Sequence, residues 1–297
     1  MTLDFIRSST LDLLLTCPQK YNLRENEGLG AESEATATRF GTAWHRAHHL
    51  IRMGSSIEQA FELATKDFVD TPNSPKNKEK ILLGLRHYAQ RYGGFLKPVG
   101  PDASEQEFLL RIPGIPIPIK GTKDIIAWWD ANEGRGTEKW IVDHKTTAML
   151  KGQWVQQYGV SNQFKCYYCA GKQEDSDIAG VLVDLFHVTK GVTTPRGKAG
   201  KSPAEIDGVH LYRLALRFTD FTIDEWKKTV ATALKALQVY EKDGHYPLNA
   251  PTACGAYGSM CPFLDVCACQ NEKMREVIKG LLRTSNAPEG MEESEGT

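Results

Sequence analysis

The chain has 297 residues, 36 Lys and Arg against 37 Asp and Glu, a net charge of -1, and 41% apolar and 25% charged residues. This is ordinary globular composition that can furnish a sizeable core, and it argues against a protein that coats nucleic acid by bulk charge. The last twelve residues contribute four glutamates and no base, leaving +3 for the remainder, so any phosphate contact must come from a local basic patch.

No apolar run approaches the roughly 20 residues needed to span a bilayer. The N-terminus lacks both a basic leader region and a small-residue cleavage site, so a cytoplasmic location is expected. Ser8, Ser9 and Thr10 can cap a helix with Leu11, Leu14 and Leu15 on one face, delivering Cys17 and Pro18 near its far end. Helical patterns follow from about Phe40 to Met53, Ile57 to Val69 and Lys78 to Tyr92, the last two parted by the breaker-rich segment 71–78. The first hundred residues therefore read as mostly helical.

The texture then changes. Residues 105–112, 117–129 and 139–145 are β-prone, parted by Pro113-Gly114 and by the Gly-rich turn 132–138, which predicts a three-stranded meander. A helix from about Gln153 to Ala170, a strand over 180–188, a strand over 210–218 and a helix beginning near Thr222 follow. Alternation of this kind after an antiparallel run predicts an α/β fold with a mixed central sheet flanked by helices. Residues 189–206 carry Lys190, Arg196, Lys198 and Lys201 among Gly, Pro and Thr without hydrophobic periodicity. They predict a mobile surface loop, with ordering on DNA as the functional alternative.

Asp124 lies on the second strand of the meander. On the third, alternation puts Asp143 and Lys145 on one face and His144 on the other. Two carboxylates on neighbouring strands can hold Mg2+ through oxygen, and an ammonium beside them can orient water or steady a phosphorane. Taken alone, Asp143 and Lys145 read more readily as a surface ion pair at a strand end, because a three-residue match arises by chance in most chains of this size. Glu107, on the preceding strand, is a further candidate carboxylate, ranked below the others.

Four successive motifs give this set its context. They are Gly41-Thr42-Ala43-Trp44-His45 on an early helix, Gly121-Thr122-Lys123-Asp124 on a strand, Asp143-His144-Lys145 on the next, and Gln163-Phe164-Lys165-Cys166-Tyr167 on the following helix. In order and spacing they resemble the PD-(D/E)xK nuclease superfamily, and specifically its RecB-like branch. The resemblance implies that Asp124 and Asp143 are metal ligands, joined by the carbonyl of His144, with Lys145 catalytic. It makes His45 a metal ligand or metal-adjacent group, and Gln163 with Tyr167 the helix motif beside the site. His48 and His49 share the helix with His45, but only His45 falls in a matching motif.

The seven cysteines are Cys17, Cys166, Cys169, Cys254, Cys261, Cys267 and Cys269, an odd number that fits a metal site plus spare thiols better than a disulfide framework. Cys254, Cys261 and Cys267 form C-x6-C-x5-C in a Gly- and Pro-broken stretch, whereas structural zinc usually shows shorter paired intervals. Small buried hydrophobes are the other reading, and it suits Cys166 and Cys169. RecB-like, AddB-like and CRISPR-associated RecB-like nucleases carry one upstream cysteine and three after the core. That resemblance implies that Cys17, Cys254, Cys261 and Cys267 bind an iron-sulfur cluster of the [4Fe-4S] type, and it selects Cys267 over Cys269. The x6 interval departs from the shorter one in many of those relatives.

The organisation expected is a helical N-terminal region (1–100) carrying Cys17 and His45, and a restriction-endonuclease-like nuclease core (101–245). A cysteine-rich lobe packed with the N-terminus (246–285) and a disordered tail (286–297) complete it. The resemblance implies a Mg2+- or Mn2+-dependent DNA exonuclease in recombination, repair or phage DNA processing. Its protein partners would be a helicase, a recombinase or a single-strand-binding protein, because no P-loop motif for unwinding is present. A CRISPR-adaptation nuclease and a non-catalytic iron-sulfur or zinc DNA-binding protein are the alternatives.

Overall fold

A computed structural model describes residues 4–283 apart from 31, 101–102, 116, 151–153, 192–198, 250–252 and 256–259. The elements in chain order are β1 (Ile6–Arg7), α1 (Leu11–Thr16), α2 (Pro18–Tyr21), α3 (Glu32–Arg52), α4 (Ile57–Thr65) and α5 (Lys78–Tyr92). The sheet core follows as β2 (Ser104–Leu110), β3 (Ile119–Asp130), β4 (Thr137–Thr147), α6 (Trp154–Gly159), α7 (Asn162–Glu174), β5 (Ile178–Val188), α8 (Pro203–Ile206), β6 (Val209–Leu216) and α9 (Asp220–Asp243). Two helices close the chain, α10 (Leu264–Ala268) and α11 (Glu272–Arg283). No helix among the described residues is long and apolar enough to cross a membrane.

Local chemistry sets several boundaries. Ser56 and Gln59 form a capping box at α4, Asn77 caps α5 through the Lys80 amide, and Gly93, at φ 67°, ends α5 in the left-handed conformation that glycine takes without a Cβ penalty. The single helix expected over 153–170 is two: α6 ends at Gly159, and Ser161, at ψ 130°, turns the chain before α7 starts. Residues 189–206 are also less irregular than expected, since Ser202 and Glu205 build a capping box that starts α8. Within that segment residues 192–198, and likewise the tail expected to be disordered, lie outside the described residues.

β2, β3 and β4 form the antiparallel meander that the sequence predicts. β4 then runs parallel to β5, and β5 antiparallel to β6, giving a mixed six-stranded sheet. β1 pairs in parallel with Ile119 and Lys120 of β3. Because those two residues also pair with β2, β1 must lie on the edge of β3 that β4 occupies further along. The pairing of β3 with β4 runs from Asp130–Thr137 to Ile125–Val142. Beyond it β4 continues beside β5 alone, so the sheet forks at Asp124 and Asp143.

Alternation assigns the two faces. Ile141, Val181 and Val183 pack with Phe164, Tyr167 and Ala170 of α7 and with Trp226, Val230 and Leu234 of α9. On the opposite face Phe186, Val209 and Leu211 pack with Phe40 and Trp44 of α3 and with Ile81, Leu85 and Tyr88 of α5. Each large side chain so buried contributes about 1.5–3 kcal/mol. Close approach constrains the sheet at Gly180, where a Cβ would fall inside the van der Waals envelope of the Leu216 carbonyl and 2.9 Å from the Trp140 ring. Gly180→Ala should therefore destabilise the fold by about 2 kcal/mol. Chemical unfolding checks this, and an unchanged midpoint would mean that β5 and β6 separate freely.

Candidate active site and cysteine cavity

The fork dictates the local chemistry. In a strand the N–H and C=O of one residue point to the same edge, and at His144 that edge has lost its backbone partner on β3. The His144 N–H instead donates to Asp124 Oδ2 at 2.8 Å. His45, on α3, brings Nδ1 to 3.2 Å from the same oxygen. Asp124 and Asp143 are buried, at 7% and 1% exposure, so neither carboxylate relies on bulk water for compensation.

Lys145 supplies part of it. Its Nζ lies 2.8 Å from Asp143 Oδ2 and 3.1 Å from Oδ1, with hydrogen-bond geometry only to Oδ1. It also donates to Gln163 Oε1 at 3.0 Å, and Gln163 Nε2 donates to the Tyr167 hydroxyl at 2.6 Å. Gln163 and Tyr167 are four residues apart on α7, hence on one helix face turned toward Lys145. The Lys145 ammonium also stands over the Phe164 ring, 5.5 Å from its centroid.

The two carboxyl groups are driven apart electrostatically. Burial opposes the charge on Asp124, but His45 and His144 outweigh it and hold the carboxyl well below the ordinary range. For Asp143 burial dominates over the pull of Lys145, and the neighbouring Asp124 adds to it, so its carboxyl is pushed up. Burial lowers the proton affinity of Lys145, yet Asp143 and Asp124 more than offset this and keep it an ammonium. Two partly uncompensated acidic groups beside a fixed cation are a donor set suited to a hard divalent ion.

Among the described residues, no set of three or more His, Cys, Asp or Glu side chains converges tightly enough to hold a metal ion as it stands. That does not conflict with a Mg2+ site, because Mg2+ keeps several waters and binds through one or two carboxylates. The residues fit such an ion: Asp143 Oδ2 is buried without a hydrogen bond, and Asp124 retains its negative charge.

Glu105 is a residue that sequence reasoning missed. It sits at φ 53° between Ser104, paired with Ile125, and Gln106, paired with Lys123, so the register sets it opposite Asp124. Burial first, and then Asp124, push its carboxyl up, and Arg52 Nη2 approaches it at 3.7 Å. Glu107, the glutamate singled out on this strand, is instead exposed and paired with Lys120 at 3.1 Å. The two lie two residues apart on one face of β2, and the register distinguishes them, since Glu107 pairs with Thr122. His48 is also not a metal-site neighbour of His45, since its ring is buried against Trp44, Tyr88, Phe95 and His144. Of the four cations in the 189–206 segment, Lys190 and Lys201 are exposed, and Arg196 and Lys198 lie outside the described residues.

Cys17, Cys254, Cys261 and Cys267 line one small cavity with Lys20, Phe263 and Leu264. Burial pushes the Cys267 thiol up to about 11, reinforced by Cys261, Cys17 and Cys254. Cys267 and Cys261 flank a cluster of Leu23, Leu29, Phe263 and Val266 that joins the N-terminal segment to α10, and Lys279 of α11 pairs with Glu27 at 2.8 Å. Cys269 turns away and donates to the Asn271 carbonyl at 3.3 Å. Cys166 and Cys169 are buried in α7 within the main core.

A family model describing the PD-(D/E)XK nuclease superfamily matches residues 8–268. No curated protein matches the chain. Among solved structures, a provisionally assigned exonuclease from Eubacterium rectale is similar at 12% identity and a TM-score of 0.49, over 87% of this chain and 89% of that one. Another, SSO0001, is similar at 17% identity and a TM-score of 0.27, over 75% of this chain and 86% of that one.

Proposed function

Because this chain belongs to the PD-(D/E)XK nuclease superfamily and has its restriction-endonuclease-like architecture, we propose that it is a Mg2+- or Mn2+-dependent DNA exonuclease acting in recombination, repair or phage DNA processing. The observation that supports this reading most is the convergence of Asp124, Asp143, Lys145 and Gln163 at the fork of the sheet. Asp124 and Asp143 would hold the ion with the His144 carbonyl, whose N–H already points to Asp124. When bound, a divalent ion supplies Lewis-acid charge at the scissile phosphate and acidifies the attacking water.

The chain's own groups do the rest. Lys145 is kept protonated by Asp143 and aimed by Gln163, so it can donate to the phosphorane oxygens or hold the water in line. Tyr167 fixes Gln163, and burial holds the Tyr167 hydroxyl far above its ordinary value, leaving it a neutral partner. His45 orients Asp124 by its 3.2 Å contact.

In the same reading, Cys17, Cys254, Cys261 and Cys267 ligate one iron-sulfur cluster of the [4Fe-4S] type. Four thiols around one cavity are the donor set such a cluster takes, and two hydrogen-bonded turns, Cys261 N–H to the Cys254 carbonyl at 2.6 Å and Cys267 N–H to that of Phe263 at 3.0 Å, shape the loop. The division into an N-terminal region (1–100), a nuclease core (101–245) and a cysteine lobe (246–285) belongs to this proposal. β1 nevertheless ties the first region into the core sheet.

End-labelled linear DNA and covalently closed circular DNA provide the test. With Mg2+ or Mn2+ the linear substrate should be degraded from its ends and the circle left intact, and chelation should stop the reaction. Cleavage of the circle would replace the exonuclease by an endonuclease. No cleavage of either substrate with any divalent ion would leave the non-catalytic DNA-binding reading.

A further inference from the structure

His144, Asp184 and Arg213 form a row across the sheet, each the register partner of the next on β4, β5 and β6. The row lies on the face covered by α3 and α5, behind the carboxylates. His144 and Asp184 are 1% and 2% exposed, so no solvent screens them. His144 Nδ1 stands 3.5 Å from Asp184 Oδ2, and Arg213 Nε stands 3.6 Å from Oδ1, both within ion-pair range but without hydrogen-bond geometry. The Tyr88 hydroxyl, from α5, donates to Asp184 Oδ2 and accepts from Arg213 Nη2 at 2.7 Å.

The direction of these contacts follows from what each group can do. Arg52 of α3 places Nη1 3.4 Å from His144 Nε2, and a guanidinium only donates, so Nε2 must accept. The imidazole proton then sits on Nδ1, facing the Asp184 carboxylate. The His48 ring, 4.3 Å away between centroids, closes the remaining side. Two elements, α3 and β5, therefore hold one ring, although nothing in the cleavage chemistry calls on that ring directly. What the ring controls is its own backbone, whose N–H holds Asp124 and whose carbonyl points to the same edge.

We propose that Asp184 is a positioning residue for the divalent ion: through the His144 ring it fixes the main-chain unit that orients Asp124 and presents the carbonyl ligand. This rests on the nuclease reading above. Groups one bond removed from the ligands commonly change metal affinity by about 10–100-fold when altered, while the ligands themselves remain.

Titration calorimetry with Mn2+ alone, on the full chain without DNA, tests it, paired with thermal unfolding and cleavage against Mn2+ concentration. Asp184→Asn retains size but removes the negative charge that faces His144 Nδ1. It should raise the Mn2+ dissociation constant by about tenfold, leave the unfolding midpoint within a few degrees, and regain near-parental cleavage at saturating Mn2+. Tyr88→Phe keeps the carboxylate and removes one of its anchors, so it should shift the constant the same way by less, and it decides the matter if Asp184→Asn does not fold. Parental Mn2+ affinity in the folded variants, or a loss of cleavage that excess Mn2+ does not restore, would overturn the positioning role alone. A parent protein that neither binds Mn2+ nor cuts DNA overturns the nuclease reading and this inference together.

Discussion

Lys145→Ala is expected to lower DNA cleavage by about a hundred- to a thousandfold, the loss typical when one preorganised donor to a developing charge is removed. The side chain makes its contacts at the site itself, to Asp143, Gln163 and the face of Phe164. Its removal should therefore change kcat far more than KM, leaving DNA affinity and the unfolding midpoint close to the parent's. Lys145→Arg should recover little, because a planar fork cannot occupy the point between Asp143 and Gln163 that an ammonium fills. Asp143→Asn should lose activity as well, through metal binding, and excess Mn2+ should restore part of it. Steady-state kinetics on linear DNA, with binding measured without divalent ion, separates the two defects. Parental turnover in Lys145→Ala would remove the lysine from the mechanism.

Cys17→Ser is expected to yield colourless protein of much lower stability. If the four thiolates clasp one cluster, they tie the N-terminal segment to α10 across nearly the whole chain, and such closure restricts the unfolded state. By analogy with a long covalent loop the loss is about 4 kcal/mol, which for a chain of this size lowers the midpoint by roughly 10 °C. Cys261→Ser and Cys267→Ser should behave alike. Cys269→Ser should stay brown, because its thiol bonds to the Asn271 carbonyl outside the cavity. Iron and sulfide analysis of anaerobically purified protein reads this out. Zinc without sulfide would replace the cluster by a structural zinc site, and a bleached Cys269→Ser beside a brown Cys267→Ser would reverse that assignment.

The sequence by itself determined what repeats locally or sits in a fixed motif. The pattern of α5 is legible to the residue over Lys78–Tyr92, and the meander follows from alternation and its two turns. Alternation also separated His144 from Asp143 and Lys145, because a strand has a period of two whatever packs on it. Tertiary structure decided what depends on register and on distant partners. β1 is two residues long and carries no periodic signal, so only its pairing with Ile119 and Lys120 reveals it as a strand. The break between α6 and α7 shows apolar residues on both sides, and the turn at Ser161 is settled by where each half packs. Glu105 rather than Glu107 faces Asp124 because the register of β2 on β3 sets Glu105 opposite Asp124 and Glu107 opposite Thr122, and two glutamates that share a strand face are not separated by alternation. Asp184 sits 40 residues beyond His144 in an apolar strand, where a lone carboxylate has no motif to mark it. Its role appears only when β4, β5 and β6 lie side by side and α3 and α5 close over them, because the partners that make a buried charge tolerable are supplied by separate segments of the chain.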